Sequence, residues 1–205
     1  MPYVGVLAAY LLGSTPFAYF AGRLLEGIDL RRHGSGNLGA TNVFRTLGAP
    51  AGVGVFLLDM LKGAIPVLLF PRLFGVQGGG GPWWPIVFGA AAILGHVRPY
   101  GGLFKGGGKG VATAGGVFAA LAPLPFAISL VTFFVVVAAS RYVSLGSLLG
   151  GVSLAIALLV TRGVASPVTW AAIVVCAFVF WTHRANISRL RHGTESRVGR
   201  AKPAT

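Results

Sequence analysis

Three segments of the sequence combine glycines, hydroxyl or amide side chains and basic residues, a set of groups suited to binding phosphate. The first segment, residues 33–45, reads HGSGNLGATNVFR. Glycines let main-chain N–H groups approach an anion closely, polar side chains add donors, and an arginine can make a bidentate contact. The GxGxxG pattern in this segment does not predict a dinucleotide site, because we expect no strand before it. We predict an anion pocket, with a merely flexible loop as the alternative, and its candidate binding residues are Ser35, Gly36, Asn37, Thr41, Asn42 and Arg45.

The second segment, residues 95–113, reads GHVRPYGGLFKGGGKGVAT and precedes an apolar run. Lys105 and Lys109 bracket three consecutive glycines, Gly106, Gly107 and Gly108. A Walker A loop is excluded, since that motif needs glycine at position 103 and Ser or Thr at position 110. Glycine N–H groups at the start of a helix, with lysines beside them, favour an anion. The segment therefore predicts a phosphate cradle, and a flexible hinge is the alternative.

The third segment follows the last apolar run and reads HRANISRL over residues 183–190, then GTESR over residues 193–197. If the helix continues, His183, Asn186 and Arg189 share one face. Arg141 and Ser144, at the inner start of an earlier run, add a charge and a hydroxyl at the same level. The alternative is a basic helix end that contacts anionic lipid headgroups.

Asp59 and Lys62 lie inside an apolar run at the i, i+3 spacing that allows a pair on one helix face. Ionisable residues inside a membrane are costly and often mark function, although a purely structural pair explains them equally well.

The sequence does not support two other kinds of site. The residues five positions after the four histidines are not aspartate, which excludes the HxxxxD dyad of one large acyltransferase class. No cluster of Cys, His and acidic residues suggests a metal site, so we predict neither metal nor cofactor.

The elements that position these segments are apolar. The 205 residues are 55% hydrophobic and 10% charged, with a mean hydropathy of +0.78, which is too apolar for a soluble globule. The net charge of +13 would suggest nucleic acid in a soluble protein. Here it is better explained by basic cytoplasmic loops, and we predict no nucleic-acid partner. Apolar runs predict spans at residues 3–24, 50–70, 83–95, 111–122, 124–139, 143–160 and 167–182.

The number of spans depends on residues 111–139, which form either one long helix or two helices broken at Pro123 and Pro125. A six-span arrangement would place the six Lys and Arg residues of the tail outside, against the positive-inside rule. We therefore predict an all-α integral membrane protein of about seven transmembrane helices, with the N-terminus outside and the C-terminus cytoplasmic. The first run lacks a basic leading region and is expected to be a retained span. Residues 1–205 would form a single polytopic domain with a short basic tail from about residue 184.

The motifs together resemble one family, the PlsY acyl-phosphate:glycerol-3-phosphate acyltransferases of bacterial membranes. The matching segments are GSGNLGATNVFR, DMLKG, GH followed by FKGGGKGVAT, RYVSL, HRANISRL and GTES, in the family's order and spacing. The resemblance implies transfer of a fatty acyl group from acyl phosphate to the 1-hydroxyl of glycerol 3-phosphate, giving lysophosphatidic acid and phosphate, the first acylation step of phospholipid synthesis. One departure is visible, since the family's usual FKGGKG has an additional glycine here.

The resemblance also suggests roles for the candidate residues. The first segment would hold the acceptor and the second the acyl-phosphate head, and Ser35, Lys105, Ser144 and His183 are the candidate catalytic residues. Arg141 and Asn186 join the substrate-binding set. We expect transfer without a covalent enzyme intermediate, with His183 or a substrate phosphate oxygen accepting the hydroxyl proton. An acyl-enzyme on Ser35 or Ser144 is the rival mechanism.

The expected setting is the bacterial inner membrane, with the active site facing the cytoplasm. The expected partners are acyl phosphate, glycerol 3-phosphate and membrane lipid, and a monomer is favoured. A transporter of a phosphorylated anion is the alternative function, and a non-enzymatic scaffold that binds anionic lipid is a third possibility.

Overall fold

The structure, a computed structural model, describes residues 1–76 and 83–199, and every regular element in those residues is helical. The chain divides into two compact units, Met1–Leu121 and Ala122–Thr205. The all-α prediction is confirmed. The last six residues of the predicted basic tail lie outside the described residues.

In its described residues, the first unit contains six α-helices and two short 3-10 helices, at Leu30–Arg32 and Pro99–Gly102. The α-helices are α1 (Pro2–Gly13), α2 (Phe17–Glu26), α3 (Ala40–Leu47), α4 (Ala49–Leu73), α5 (Trp83–Val97) and α6 (Val111–Leu121). The second unit contains four α-helices within residues 122–199, which are α7 (Pro123–Ser140), α8 (Val143–Arg162), α9 (Pro167–Thr182) and α10 (Arg184–Arg191).

Each predicted span corresponds to helical structure, and residues 111–139 form two helices, as predicted. Their lengths differ greatly. Among the described residues, four stretches are long and apolar enough to cross a membrane, and a fifth qualifies if α9 and α10 count as one bent span. The described part of α5 has 15 residues and α6 has 11, fewer than the roughly 20 of a full crossing. The count of seven and the orientation of the termini stay predictions.

The first predicted span is two helices, since α1 ends before Ser14 and α2 begins after Pro16. Proline has no N–H and disfavours a helical conformation in the residue before it, which explains the break. The Ser14 hydroxyl is buried, donates to the Tyr10 carbonyl at 2.9 Å and accepts the Tyr100 N–H at 3.3 Å. Through these two hydrogen bonds, Ser14 at the break holds the turn that follows α5.

Glycines let the helices of the first unit approach at backbone distance. A Cβ at Gly13 or Gly95 would collide with main-chain atoms across the α1–α5 contact. A Cβ at Gly63 or Gly116 would do the same across the α4–α6 contact. Small residues at helix contacts are typical of membrane proteins, where close packing replaces the hydrophobic effect between helices. These contacts hold α1 against α5 and α4 against α6, and the second polar segment connects α5 with α6.

The second unit bends sharply at its end. The helix expected to continue past residue 182 does not continue straight, because α9 and α10 meet at 61°. His183 lies at the bend with φ −96° and ψ 7°. The Thr182 hydroxyl donates to the Val179 carbonyl at 3.0 Å, and His183 Nδ1 lies 2.9 Å from the same oxygen. Side-chain groups that compete for a helix carbonyl in this way favour a bend.

Candidate functional site

The first polar segment is organised around the side chain of Asn42, which is 2% exposed. Its Oδ1 accepts the Ser35 N–H at 2.8 Å, while its Nδ2 donates to the carbonyls of Leu30 and His33 at 3.2 and 3.1 Å. One amide therefore satisfies three main-chain groups of the loop. Asn42 was predicted as a substrate ligand, and in the structure its amide holds the loop in shape.

The other predicted residues of this segment surround that anchor. Gly34 and Gly36 both have positive φ, 62° and 71°, a conformation that glycine adopts most readily. A Cβ at Gly34 would also collide with the Asn42 amide. Ser35 and Arg45 are exposed, and Thr41 is half-buried in the first turn of α3. The loop therefore presents Ser35 and Arg45 at the surface of the first unit.

The first and second polar segments lie against each other, as their shared predicted role requires. Asn37 Nδ2 donates to the Gly107 carbonyl at 3.1 Å, and Arg31 Nη1 donates to the Lys105 carbonyl at 3.2 Å. The Lys105 side chain is exposed, and Lys109 is half-buried just before α6 begins. The structure thus brings the two predicted anion-binding loops of the first unit together through main-chain carbonyls of the glycine-rich loop.

Arg31, which the sequence did not identify as a site residue, is held rigidly in this contact. Its guanidinium makes a bidentate contact with Asp29, at 2.9 Å from Nε to Oδ1 and 2.6 Å from Nη2 to Oδ2. It also lies 5.1 Å from the ring centroid of Tyr19 and 5.0 Å from that of Phe104. The hydrogen bond with Arg31 holds the pKa of Asp29 well below its usual range, and the same bond raises the pKa of Arg31. The pair stays ionised and fixes the donor that contacts the glycine-rich loop.

A buried charge cluster lies beneath the glycine-rich loop. Lys62 Nζ is 2.7 Å from Asp59 Oδ1, and both side chains are 2% exposed, which confirms the predicted i, i+3 pair. Lys62 Nζ also donates to the Thr15 carbonyl at 2.8 Å, at the break between α1 and α2. His96 Nδ1 is 3.6 Å from Asp59 Oδ1. The cluster supplies a cation to a helix end that has lost its usual partners.

A cleft of about 190 Å³, including its open mouth, connects this cluster with the loop. Its polar lining comes from the α1–α2 break, from α4 and α5, and from the glycine-rich loop, and includes Thr15, Asp59, Lys62, His96, Gly107 and Gly108. The cleft therefore places buried charge and glycine main chain around one space within the first unit.

The second unit has its own polar cluster, centred on Glu195. The carboxylate is 5% exposed. Its Oε1 accepts Ser144 Oγ at 2.8 Å and Asn186 Nδ2 at 2.6 Å, and its Oε2 accepts Arg189 Nε at 2.7 Å. Burial alone would raise the pKa of Glu195, but the hydrogen bonds from Asn186, Ser144 and Arg189 outweigh burial and lower it. Two predicted site residues, Ser144 and Asn186, are thus oriented by an acid that the predicted set did not include.

The remaining predicted residues of the second unit lie near this cluster in sequence. His183 is 3% exposed and occupies the α9–α10 bend. Arg141 is exposed with φ 64°, and its carbonyl accepts the Val198 N–H at 2.8 Å. Arg197 Nε donates to the Tyr142 hydroxyl at 3.0 Å, so the segment after α10 lies along the α7–α8 turn.

No group of three or more His, Cys, Asp or Glu side chains suited to a metal ion occurs within residues 1–76 and 83–199. The charged clusters of those residues pair acids with Lys, Arg or His instead. Their chemistry is suited to binding anions and orienting hydrogen-bond donors.

Comparison with known proteins agrees with this arrangement over nearly the whole chain. The family model described as glycerol-3-phosphate acyltransferase matches residues 3–193. A glycerol-3-phosphate acyltransferase of Geobacillus kaustophilus (strain HTA426) is 46% identical, and the match covers 94% of each chain. Glycerol-3-phosphate acyltransferase 3 of Bacillus anthracis is 44% identical, covering 98% of this chain and 96% of the relative.

Two crystal structures of PlsY, an integral membrane glycerol 3-phosphate acyltransferase, share the fold. The glycerol 3-phosphate form is 42% identical with a TM-score of 0.83, covering 97% of this chain and 96% of that one. The lysophosphatidic acid form is 41% identical with a TM-score of 0.84, covering 97% and 95%. Sequence, family model and fold agree over the same residues, and the chain therefore belongs to the PlsY family of integral membrane glycerol-3-phosphate acyltransferases.

Proposed function

We propose that the protein transfers a fatty acyl group from acyl phosphate to the 1-hydroxyl of glycerol 3-phosphate, releasing lysophosphatidic acid and inorganic phosphate. The observation that carries the proposal is the interlocking of two glycine-rich, basic loops in the first unit. Both substrates carry phosphate, and main-chain N–H groups with Arg45, Lys105 and Lys109 beside them are suited to that anion. Relatives captured with the acceptor and with the product support the same reaction.

The bond changes follow from the chemistry of a mixed anhydride. The acceptor oxygen attacks the acyl carbonyl carbon, a new C–O ester bond forms, and the bond between that carbon and the phosphate oxygen breaks. The departing phosphate takes the electron pair, and the hydroxyl proton passes to a phosphate oxygen or to His183. Phosphate is a good leaving group, so orientation of the hydroxyl contributes more than base strength.

We assign the roles in the first unit from the exposure of each side chain and, for Asn42, from its hydrogen bonds. The exposed Lys105 and the N–H groups of Gly106 and Gly107 stabilise charge on the carbonyl oxygen and the departing phosphate. Ser35, Thr41 and Arg45 bind the acceptor phosphate. Asn42 supports this loop from within, because its amide is bonded to loop main chain.

In the second unit, Ser144 and Asn186 are oriented by Glu195. We propose that they contact substrate through their remaining hydrogen-bonding groups, together with Arg141. Transfer is direct. The acceptor of the Ser144 hydroxyl, Glu195, also accepts from Asn186 and Arg189, and these hydrogen bonds lower its pKa. Its carboxylate is therefore a weak base for activating Ser144 as a nucleophile.

The decisive test is donor specificity of the purified protein. Three alternative acyl donors are supplied in parallel with glycerol 3-phosphate: palmitoyl phosphate, acyl-CoA and acylated acyl-carrier protein. Lysophosphatidic acid is then quantified. We expect product only with palmitoyl phosphate, and an approximately hundredfold or greater loss in Lys105→Gln, as for removal of one transition-state donor. Activity only with a thioester donor would refute the proposed donor. An acyl-enzyme trapped from palmitoyl phosphate alone would refute direct transfer.

One observation favours the alternative of a phosphorylated-anion transporter. The first predicted span is broken, and its break contacts a buried lysine, which resembles the discontinuous helices of transporters. Lys62 is already paired with Asp59, however, so its charge is compensated. Uptake of glycerol 3-phosphate into proteoliposomes without product formation would favour the transporter.

The setting completes the proposal. We place the whole chain as one polytopic, monomeric domain in the bacterial inner membrane, with both polar loops and the C-terminus cytoplasmic. Single cysteines introduced at Ser35 and at Val164, in a variant lacking Cys176, test this orientation by labelling with an impermeant maleimide. We expect Val164 to react in right-side-out vesicles and Ser35 only in inverted ones.

A further inference from the structure

The glycine-rich loop packs directly on the imidazole of His96, at the C-terminal end of α5. The Gly108 N–H donates to the His96 carbonyl at 3.2 Å. Three ring atoms of His96, Nε2, Cε1 and Cδ2, occupy the space that a Cβ at Gly108 would need. Gly108 does not lie in the left-handed region of φ. Glycine is therefore required at this position by the histidine ring rather than by the backbone conformation.

The same ring is held on its other side by the buried charge pair. His96 Nδ1 lies 3.6 Å from Asp59 Oδ1, a distance too long for a hydrogen bond but short for an electrostatic contact away from water. Lys62, which also donates to the Thr15 carbonyl, fixes the Asp59 carboxylate in turn. With His96 6% exposed, the ring has little freedom to move away from Gly108.

We propose that His96 is a positioning residue. Its ring, held by the Asp59–Lys62 pair, fixes the position of Gly108 relative to α5 and thereby the placement of Lys105 and Lys109. The inference rests on the proposed function in that it assigns this loop to the donor phosphate. A contact that only stabilised the fold would lower the amount of active protein. A contact that positions the loop changes the affinity for the donor in the protein that is folded.

The test changes the side-chain volume on each side of the contact between Gly108 and His96. Gly108→Ala inserts a methyl group where the ring stands, and His96→Ala removes the ring. Each single variant is expected to raise the KM for palmitoyl phosphate on the order of tenfold, with a smaller change in the KM for glycerol 3-phosphate. In the double variant the methyl group fits beside the shortened side chain. The KM for palmitoyl phosphate should therefore be on the order of tenfold lower than the product of the two single effects predicts, because the effects of substitutions at contacting residues do not add.

Gly107 provides the matched control. A Cβ at Gly107 would meet the main-chain oxygens of Val97 and His96, which His96→Ala leaves in place. Gly107→Ala combined with His96→Ala should therefore show no recovery. A second control, Phe88→Leu, disturbs the buried core of α5 without lining the cleft and should leave both KM values unchanged in the folded fraction. Where His96→Ala does not yield folded protein, His96→Ser takes its place in the same set.

Binding of inorganic phosphate, measured by calorimetry on the same purified variants, separates this inference from the proposed reaction. A wild-type protein without palmitoyl phosphate turnover refutes the proposed function, while a phosphate affinity that recovers only in the Gly108→Ala, His96→Ala pair still supports positioning. Independent single effects, equal recovery with Gly107→Ala, or a loss of kcat with no shift in the donor KM and phosphate affinity would overturn the inference.

Discussion

Replacing Glu195 by glutamine should destabilise the second unit strongly, because one carboxylate binds three donors. Glutamine keeps one oxygen, which can still accept from Ser144 and Asn186, but as a neutral and weaker acceptor. Its NH₂ group then faces Arg189 Nε, where two donors meet without an acceptor. Hydrogen bonds to charged groups contribute about 1.5–3 kcal/mol each, and Arg189 is 43% exposed and partly solvated. We expect a loss of about 2–4 kcal/mol.

The assay is thermal unfolding in detergent, with glycerol-3-phosphate acylation measured on the same preparations. For a chain of this size the loss corresponds to an apparent Tm lower by about 5–15 °C. Glu26→Gln is the matched control, because it also removes one acid but from an exposed position. We expect that variant to melt within about 1–2 °C of the wild type, as for other surface substitutions.

The pH dependence follows from the lowered pKa of Glu195. A carboxyl group with a lowered pKa in the folded state contributes its full stability above its unfolded value, near 4.5, and loses it as the pH falls through the folded pKa. The difference in Tm between wild type and Glu195→Gln should therefore be constant from pH 7 to about 5 and shrink below that. Equal melting of Glu195→Gln and Glu26→Gln, or a difference that grows in acid, would refute this account of the cluster.

Three further substitutions test the first unit. Asn42→Ala leaves the Ser35 N–H and the carbonyls of Leu30 and His33 without this partner, so we expect a loss of about 1–3 kcal/mol in thermal unfolding and a matching fall in acylation activity. Lys62→Met leaves Asp59 as an uncompensated buried charge and should cost about 3–5 kcal/mol, whereas Asp59→Asn combined with Lys62→Met should recover most of it in the same melting assay. Arg31→Lys keeps the charge but loses the bidentate, stacked geometry, and should raise the KM for palmitoyl phosphate several-fold in steady-state kinetics without a large change in Tm.

The helical architecture could be predicted because apolar runs leave little choice in a membrane, where main-chain groups must bond within helices. The break at Ala122 was predictable for a local reason, since Pro123 and Pro125 end one helix and begin the next. The break before Pro16 was not predicted, because a proline inside a span can also be accommodated without a break. The Thr15 carbonyl at this break accepts from Lys62, 47 residues away in sequence, and no local pattern indicates the contact.

The sequence predicts which residue types form the site, but it does not predict which group each side chain bonds. The sequence identifies Asn42 and Ser35 as donors and acceptors, yet it does not show that the Asn42 amide bonds to the Ser35 main chain. It also identifies Lys105 without showing that Arg31 holds its carbonyl. Both facts depend on where two loops meet, which is a property of packing between distant segments.

A signal for the organising residues was nevertheless present in the charge balance. The chain has only 4 Asp and Glu residues against 17 Lys and Arg, and Glu26 is exposed. The other three acids each orient basic or polar donors: Asp29 holds Arg31, Asp59 holds Lys62, and Glu195 holds Ser144, Asn186 and Arg189. A protein that binds two phosphate substrates would repel them with unpaired carboxylates nearby. Engaging every buried or half-buried acid with a cation removes that repulsion and fixes the donors, so the scarce acids of such a sequence predict the scaffold of its anion site.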